Sequence, residues 1–147
     1  MIQHYEDCKL KSYQDSVGIW TIGYGSTFYL DGKPVKKGDT ITQDEADKLF
    51  EGTIEGLSKQ VNGLLPHVFL KDCQFDALMS FAYNLGVNSL KNSTLLKKVR
   101  VNPKDPTIGY EFSKWIYAGK SVLKGLVNRR KSESLLYSTG TLEFFYV

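Results

Sequence analysis

Three side chains near the start of the chain have the types and the spacing of an acid–base site. They are Glu6, Asp15 and Thr21, arranged as E-x8-D-x5-T. Two carboxylates on different segments suit the hydrolysis of a glycosidic bond. One acid protonates the leaving oxygen, and the other stabilises charge or activates water on the opposite side of the sugar. The alternative for Glu6 is a solvated surface glutamate, as most helical glutamates are.

Two short elements of different kinds are expected to carry these residues. A weak apolar stripe at three-residue spacing predicts a short opening helix over residues 2–10, with Glu6 near its end. Residues 17–25 are rich in β-branched and aromatic side chains, which is typical of a strand.

Strand alternation predicts which side chains of residues 17–25 face the core. Thr21 is expected to be exposed on a face that is small and polar enough to line a cleft. Gly23 and Gly25 either permit a close approach or only form a bulge and a turn. The opposite face is expected to be core and carries Trp20, Ile22 and Tyr24.

Turn and cap signals follow this strand. The pair Asp31-Gly32 predicts a hairpin turn with positive φ at both central positions, and a second turn is expected at residues 37–39. Residues 13–41 are therefore predicted to form a small antiparallel sheet. Thr42 and Glu45 form a capping-box pattern, which predicts the start of a long helix that ends near Pro66.

The chain from Lys71 onward is predicted to be helical, so the fold class is α+β and mostly helical. One helix is expected to end at Gly86, and a short one to start at Ser93 or Thr94. Another is predicted to start near Pro106, and a last one spans residues 123–137. Their expected buried side chains are Phe75, Leu78, Met79, Ala82, Leu85, Phe112, Trp115, Ile116, Leu126, Val127, Leu135 and Leu136. The apolar tail, residues 142–147, is expected to pack back on the body.

Composition excludes several functional classes. The 147 residues are 41% hydrophobic and 24% charged, as in ordinary soluble proteins. The net charge of +3 is too small for the basic footprint of a nucleic-acid binder. No cofactor or metal site is expected, because the two histidines and two cysteines show no ligand spacing. One disulfide between Cys8 and Cys73 is possible, but two reduced thiols are expected for a cytosolic protein.

Targeting signals are also missing from the sequence. There is no apolar run of about 18 residues and no basic segment followed by an apolar one, so neither membrane insertion nor a signal peptide is expected. The protein is therefore expected to stay in the cytosol unless another factor releases it.

Three ordered blocks of the chain resemble the phage lysozymes, or endolysins, of glycoside hydrolase family 24, of the T-even and lambdoid phage type. The first resembles the catalytic Glu, Asp and Thr of that family with the I-G-x-G that follows. The second resembles its central helix, and the third its W-x-x-A-G and G-L-x-x-R-R segments. The blocks are E-x8-D-x5-T-I-G-Y-G in residues 6–25, F-D-A-L-M-S-F-A-Y-N-L-G in 75–86, W-I-Y-A-G in 115–119 and G-L-V-N-R-R in 125–130.

The resemblance implies a lysozyme-like single domain over residues 1–147. Its parts would be an active-site lobe with a small antiparallel sheet (1–42), a connecting helix (43–65) and a helical lobe (66–147). The implied activity is that of a muramidase, which cleaves the β-1,4 bond between N-acetylmuramic acid and N-acetylglucosamine in bacterial peptidoglycan and causes host lysis. A lysozyme-like wall-binding module without catalysis is the alternative.

The resemblance also implies roles for individual residues. Glu6 would be the general acid, Asp15 the ionised partner and Thr21 a hydrogen-bonding partner of the attacking water. Thr27 and Tyr83 fall where the family contacts sugar, although Tyr83 is equally well explained as a core aromatic residue. Attack by water with inversion and intramolecular attack that yields an anhydro sugar both remain open. A monomer that needs no nucleic acid or membrane partner is expected.

Three further positions bear on this implied site. Ser26 stands where the family usually has a histidine, and its effect is expected on stability before chemistry. Arg129 and Arg130 either place a cation near Glu6, form a solvated helix face, or form an ion pair with Glu133.

Overall fold

Helices account for most of the regular structure in a computed structural model that describes residues 1–145. The chain divides into two compact units, Met1–Gly56 and the part from Leu57 onward, and the boundary falls inside α2. The elements are α1 (Ile2–Tyr5), β1 (Lys9–Gln14), β2 (Trp20–Gly23), α2 (Gln43–Gly63), α3 (Asp72–Leu85), α4 (Val87–Lys91), α5 (Thr94–Val101), α6 (Ile108–Ser113), β3 (Tyr117–Ala118), β4 (Ser121–Val122) and α7 (Lys124–Thr139).

The opening helix is much shorter than predicted. α1 ends at Tyr5, and Glu6 is its C-cap residue in an extended conformation. The expectation of a helix over residues 2–10 is therefore wrong. A helix of one turn is marginal because its first hydrogen bond orders several residues. The chain from Lys9 instead gains the hydrogen bonds of a strand pair.

The predicted sheet is reduced to one regular strand pair. β1 and β2 run antiparallel, with Tyr13 opposite Thr21, Gln14 opposite Trp20 and a bulge between Lys9 and Tyr13. The rest of the expected sheet consists of isolated bridges at 11–40, 22–26 and 28–34.

Burial along β2 differs from simple alternation. Ile22 is fully buried, as predicted, but Thr21 is only 4% exposed, so its expected exposure is wrong. Directly opposed residues share one face of a sheet, so Tyr13 on β1 lies beside Thr21 on the same face. The core of this unit consists of Ile22, Val35 and Leu49, with Trp20, Tyr29 and Ile41 packed against them.

Local turn and cap signals are mostly confirmed. The reciprocal bonds of the capping box are present, from Thr42 N to Glu45 Oε1 (3.2 Å) and from Glu45 N to Thr42 Oγ1 (3.1 Å). A turn does form around Asp31, but only Gly32 has positive φ there. A turn followed by one left-handed residue gives this geometry, so the prediction of positive φ at both central positions is wrong. The expected second turn forms at Gly38.

The second unit has two elements that the sequence patterns did not predict. They are the short helix α4 and the β3–β4 hairpin. The hairpin replaces the end of the predicted helix, because α6 stops at Ser113. Gly119 has positive φ between the two strands. Phe112 is buried as expected, while Trp115 and Ile116 are half-buried.

The core of the second unit contains an aromatic cluster. The Phe81 ring meets Phe112 and Trp115 edge-on, with centroids 5.9 and 5.3 Å apart, and Phe112 also packs against Tyr137.

Ser93 caps α5 as predicted, because its hydroxyl accepts a hydrogen bond from Leu96 N.

The buried face of α7 is polar rather than apolar. Arg130 and Glu133 are 1% and 0% exposed, whereas Leu135 is half-buried. Arg130 Nε lies 2.6 Å from Glu133 Oε1, and Arg129 Nε lies 3.6 Å from Oε2. The predicted ion pair with Glu133 is confirmed, and the solvated helix face is wrong. The expectation that apolar residues alone form the inner side of this helix is also wrong.

The C-terminal tail contacts α7 of this unit. Ser132 Oγ donates to Glu143 O at 2.6 Å, and Lys131 lies over the Phe145 ring at 5.8 Å. These contacts are consistent with the expected packing of the tail, whose last residues, 146 and 147, lie outside the described part. Cys8 and Cys73 are both free thiols, as expected.

Candidate active site

Glu6 lies directly against the tight turn that follows β2. Its Oε2 atom is 3.2 Å from the point where a Cβ atom on Gly25 would stand. Gly25 has φ +91°, and the turn is closed by reciprocal backbone bonds between Ile22 and Ser26 of 2.8 and 2.9 Å. Gly25 therefore serves both purposes considered from the sequence, since it forms a turn and permits the close approach of a carboxylate.

Asp15 holds the loop between β1 and β2. Its Oδ1 atom accepts hydrogen bonds from Val17 N (3.0 Å) and Ile19 N (2.9 Å). Gly18 has φ +86° in the same loop. One carboxylate oxygen of Asp15 thus has a structural task, and this leaves Oδ2 as the oxygen that takes no part in the loop bonds.

Thr21 is joined to Asp15 through a single residue. Its Oγ1 atom donates to Ile19 O at 2.9 Å, while Ile19 N donates to Asp15 Oδ1. The backbone of Ile19 therefore sets the positions of both side chains. Because its proton is engaged, the Thr21 hydroxyl presents lone pairs, and not a donor, to a further partner.

Tyr13 is a member of this site that the sequence patterns did not single out. Partial burial raises the pKa of Tyr13, and the negative charges of Glu6, Asp15 and Asp7 raise it further. The charges of both candidate catalytic carboxylates therefore act on one phenol. The sequence did offer one signal for Tyr13: it lies two residues before Asp15, and such residues share one face of a strand.

The remaining predicted residues are more dispersed. Thr27 follows the Gly25 turn and is half-buried, and its carbonyl accepts from Val35 N at 2.9 Å. Tyr83 is half-buried on α3 in the second unit. Ser26 is buried, its backbone closes the turn with Ile22, and its hydroxyl has no hydrogen-bond partner among the described residues.

The described residues contain neither a metal-binding cluster nor a membrane-spanning helix. Within residues 1–145, no group of three or more histidine, cysteine, aspartate or glutamate side chains is arranged to hold a metal ion. Of the helices described above, none combines the length and the hydropathy needed to cross a membrane.

Comparison with known proteins identifies the family. A family model described as phage lysozyme matches residues 3–133, which is most of the chain. The chain belongs to the phage lysozyme family. The family assignment made from the three sequence blocks is thereby confirmed.

The similarity to known proteins extends over nearly the whole chain. The endolysin of Acyrthosiphon pisum secondary endosymbiont phage 1 is 34% identical over 143 residues, covering 95% of this chain and 93% of the relative. The solved endolysin from Escherichia coli O157:H7 phage FAHEc1 has a TM-score of 0.85 at 34% identity, covering 97% and 90% of the two chains. The muramidase domain of SpmX from Asticaccaulis excentricus has a TM-score of 0.80 at 31% identity, covering 94% and 92%.

These similarities confirm the predicted fold class and activity. The phage lysozyme fold is α+β and mostly helical, with a small antiparallel strand pair. The chain is a peptidoglycan-hydrolysing endolysin of the muramidase type that causes bacterial lysis, and its site of action is the cell wall.

The contact between Glu6 and Gly25 makes a testable prediction for this phage lysozyme. Gly25→Ala is expected to lose about 1–2 kcal/mol of unfolding free energy through its positive φ, and the new Cβ displaces the Glu6 carboxylate. Because a 3.2 Å contact requires the carboxylate to move by only a few tenths of an ångström, kcat/KM is expected to fall roughly 3- to 10-fold. Wall clearance and urea unfolding measure the two effects.

Gly38→Ala is the matched control for this substitution. Gly38 has a similar φ of +84°, but no atom lies within 4 Å of its added Cβ. It is expected to lose similar stability with unchanged clearance. Equal clearance by the two variants would contradict the positioning role of Gly25.

Proposed function

We propose that Glu6 and Asp15 are the two carboxylates that cleave the glycan and that Thr21 positions the attacking water. The observation that carries this proposal is that the backbone of Ile19 bonds both Asp15 and Thr21, while Glu6 lies against the turn that follows the same strand. The charges of Glu6 and Asp15 both raise the pKa of Tyr13, which supports a shared site. Glu6 gives its proton to the leaving glycosidic oxygen. The bond from that oxygen to the anomeric carbon breaks, and water forms the new bond.

The hydrogen bonds of Asp15 and Thr21 support a common water site. Asp15 Oδ1 is occupied by two backbone N–H groups, so Oδ2 is the oxygen that receives a proton from water. The Thr21 hydroxyl donates to Ile19 O and accepts a hydrogen bond from the other O–H of the water, whose proton stays on the oxygen and remains in the product hydroxyl. A water with both protons engaged presents a lone pair to the anomeric carbon.

The remaining parts of this proposal rest on the family resemblance. Thr27 and Tyr83 contact sugar, the active-site lobe spans residues 1–42, the connecting helix 43–65 and the helical lobe 66–147. The enzyme acts as a monomer, without nucleic acid or membrane insertion. A location in the host cytoplasm, followed by release through a separate permeabilising factor, stays a prediction from the sequence.

Two variants of Asp15 separate its chemistry from its structural task. Asp15→Asn keeps an oxygen that accepts from Val17 N and Ile19 N, so stability is expected to change by less than about 1 kcal/mol while kcat falls at least about 100-fold. Asp15→Ala is expected to lose the same activity. It is also expected to lose about 1–2 kcal/mol more unfolding free energy, because the loop bonds are removed. Clearance assays and urea unfolding measure the two quantities.

The control for the two Asp15 variants is a substitution of Asp31, whose Oδ1 atom accepts a similar turn bond from Lys33 N at 2.9 Å. Asp31→Asn is expected to keep full activity. If Asp15→Asn clears walls as fast as Asp31→Asn does, Asp15 has a structural role only and the proposed mechanism fails.

Mass spectrometry of muropeptides tests the reaction itself. Attack by water predicts new reducing ends on N-acetylmuramic acid, with one water added for each bond cleaved. Anhydro ends without added water would show intramolecular attack by a sugar hydroxyl and would contradict the water site formed by Asp15 and Thr21.

A further inference from the structure

Tyr13 lies opposite Thr21 and within the electrostatic reach of Glu6 and Asp15. In the β1–β2 pair it stands directly opposite Thr21. Opposed residues have Cβ atoms about 4.5–5.5 Å apart on one face of the sheet. The charges of Glu6 and Asp15 both act on its hydroxyl. A sugar that reaches both carboxylates therefore meets this phenol.

The hydroxyl of Tyr13 differs from the hydroxyls of three structural tyrosines, Tyr24, Tyr29 and Tyr137. Tyr29 donates to Asp39 at 2.7 Å, Tyr24 to Asp47 at 3.3 Å and Tyr137 to Pro103 O at 2.8 Å. These three bonds tie loops or helices together. No protein hydrogen bond to the Tyr13 hydroxyl occurs within residues 1–145, and the residue is 37% exposed.

The chemistry of the phenol suits a saccharide ligand. A tyrosine phenol is neutral and protonated at neutral pH, and the raised pKa of Tyr13 favours this form further. A neutral phenol offers a donor and an aromatic face without adding charge between two carboxylates, and sugars present both hydroxyl groups and apolar C–H faces.

We propose that Tyr13 is a substrate-contacting residue whose hydroxyl donates a hydrogen bond to an oxygen of the N-acetylated sugar held between Glu6 and Asp15. The inference rests on the catalytic roles proposed for these two carboxylates. It adds a binding contact that none of the assigned roles includes. The bond is made equally in the bound substrate and during bond cleavage, so its loss affects binding and not turnover.

The test compares binding in an inactive background. Tyr13→Phe is introduced into the Glu6→Gln protein, and the Kd of the β-1,4-linked N-acetylglucosamine trimer is measured by NMR titration. Loss of one neutral hydrogen bond predicts a Kd about 3- to 10-fold higher. Tyr110→Phe is the control, because Tyr110 is exposed on α6 in the second unit and packs against Lys114. Its Kd is expected to be unchanged.

A kinetic arm uses Tyr13→Phe alone with soluble peptidoglycan oligomers. KM is expected to rise about 3- to 10-fold with kcat within about twofold of the unmodified enzyme. The thermal midpoint is expected to stay within about 2 °C, because the ring remains in place. KM and Kd within twofold of those of Tyr110→Phe overturn the proposal, as does a loss confined to kcat.

If Tyr13→Phe folds poorly, the proposal is tested by a measurement on the unaltered Tyr13 side chain. Ring-labelled tyrosine NMR of the Glu6→Gln protein is expected to show the Tyr13 resonance shifting with the trimer while that of Tyr110 stays fixed. A Tyr13 resonance that does not move at saturation overturns the contact. Full activity of Glu6→Gln would instead contradict the proposed function, so the two failures are distinguishable.

Discussion

Glu6→Gln is expected to clear cell walls at least about 100-fold more slowly than the unmodified enzyme, because glutamine has no acidic proton to give to the leaving oxygen. The amide keeps the size of the carboxyl group that lies against Gly25. Stability is therefore expected to change by less than about 1 kcal/mol. The rate of turbidity loss and the urea unfolding midpoint are the two measurements.

Glu51→Gln is the matched control for this loss. Glu51 is an exposed residue of α2 in the same unit, and the substitution removes the same charge. Its clearance rate is expected to match that of the unmodified enzyme. If Glu6→Gln clears walls at the same rate as Glu51→Gln, the assignment of the general acid fails.

The largest expected effect on stability comes from Glu133. Its carboxylate is fully buried beside Arg130 and Arg129 and accepts a hydrogen bond from Ser80 Oγ at 2.5 Å. Glu133→Gln removes this counter-charge from two buried guanidinium groups. Breaking a buried ion pair in this way costs about 3–5 kcal/mol. Urea unfolding of the variant measures the loss.

The unfolding free energy lost in Glu133→Gln is expected to depend on the burial of Glu133 and not on the change in net charge. Glu143→Gln changes the net charge equally at an exposed position in the tail and is expected to cost less than about 0.5 kcal/mol. Ser80→Ala deletes only the hydroxyl bond and is expected to cost about 1.5–3 kcal/mol. A Glu133→Gln variant as stable as Glu143→Gln would show that the cluster does not stabilise the fold.

Local features of the fold were predictable because they depend on neighbours in sequence. The capping box of Thr42 and Glu45, the Ser93 cap and the turn at Gly38 each satisfy backbone groups within four residues. Helix α2 was therefore predicted nearly to its ends. Where a local signal was weak, as over residues 2–10, a more distant strand partner decided the structure instead.

The polar face of α7 shows what periodicity does not predict. Apolar residues normally form the inner side of a helix, and the sequence pattern of α7 predicts such a side. Arg130 and Glu133 are buried instead, because each compensates the charge of the other. This compensation depends on both side chains and on Ser80 of α3, a residue 53 positions away.

The sequence by itself determined the family and the residues that are candidates for catalysis, because the types and spacing of Glu6, Asp15 and Thr21 are written directly in it. Only the tertiary structure decided how these side chains are held. It places Glu6 against Gly25, joins Asp15 to Thr21 through Ile19, and brings Tyr13 to the same site. The physical reason is that charge, burial and hydrogen bonding at a site depend on distances between segments, and strand pairing and packing set those distances.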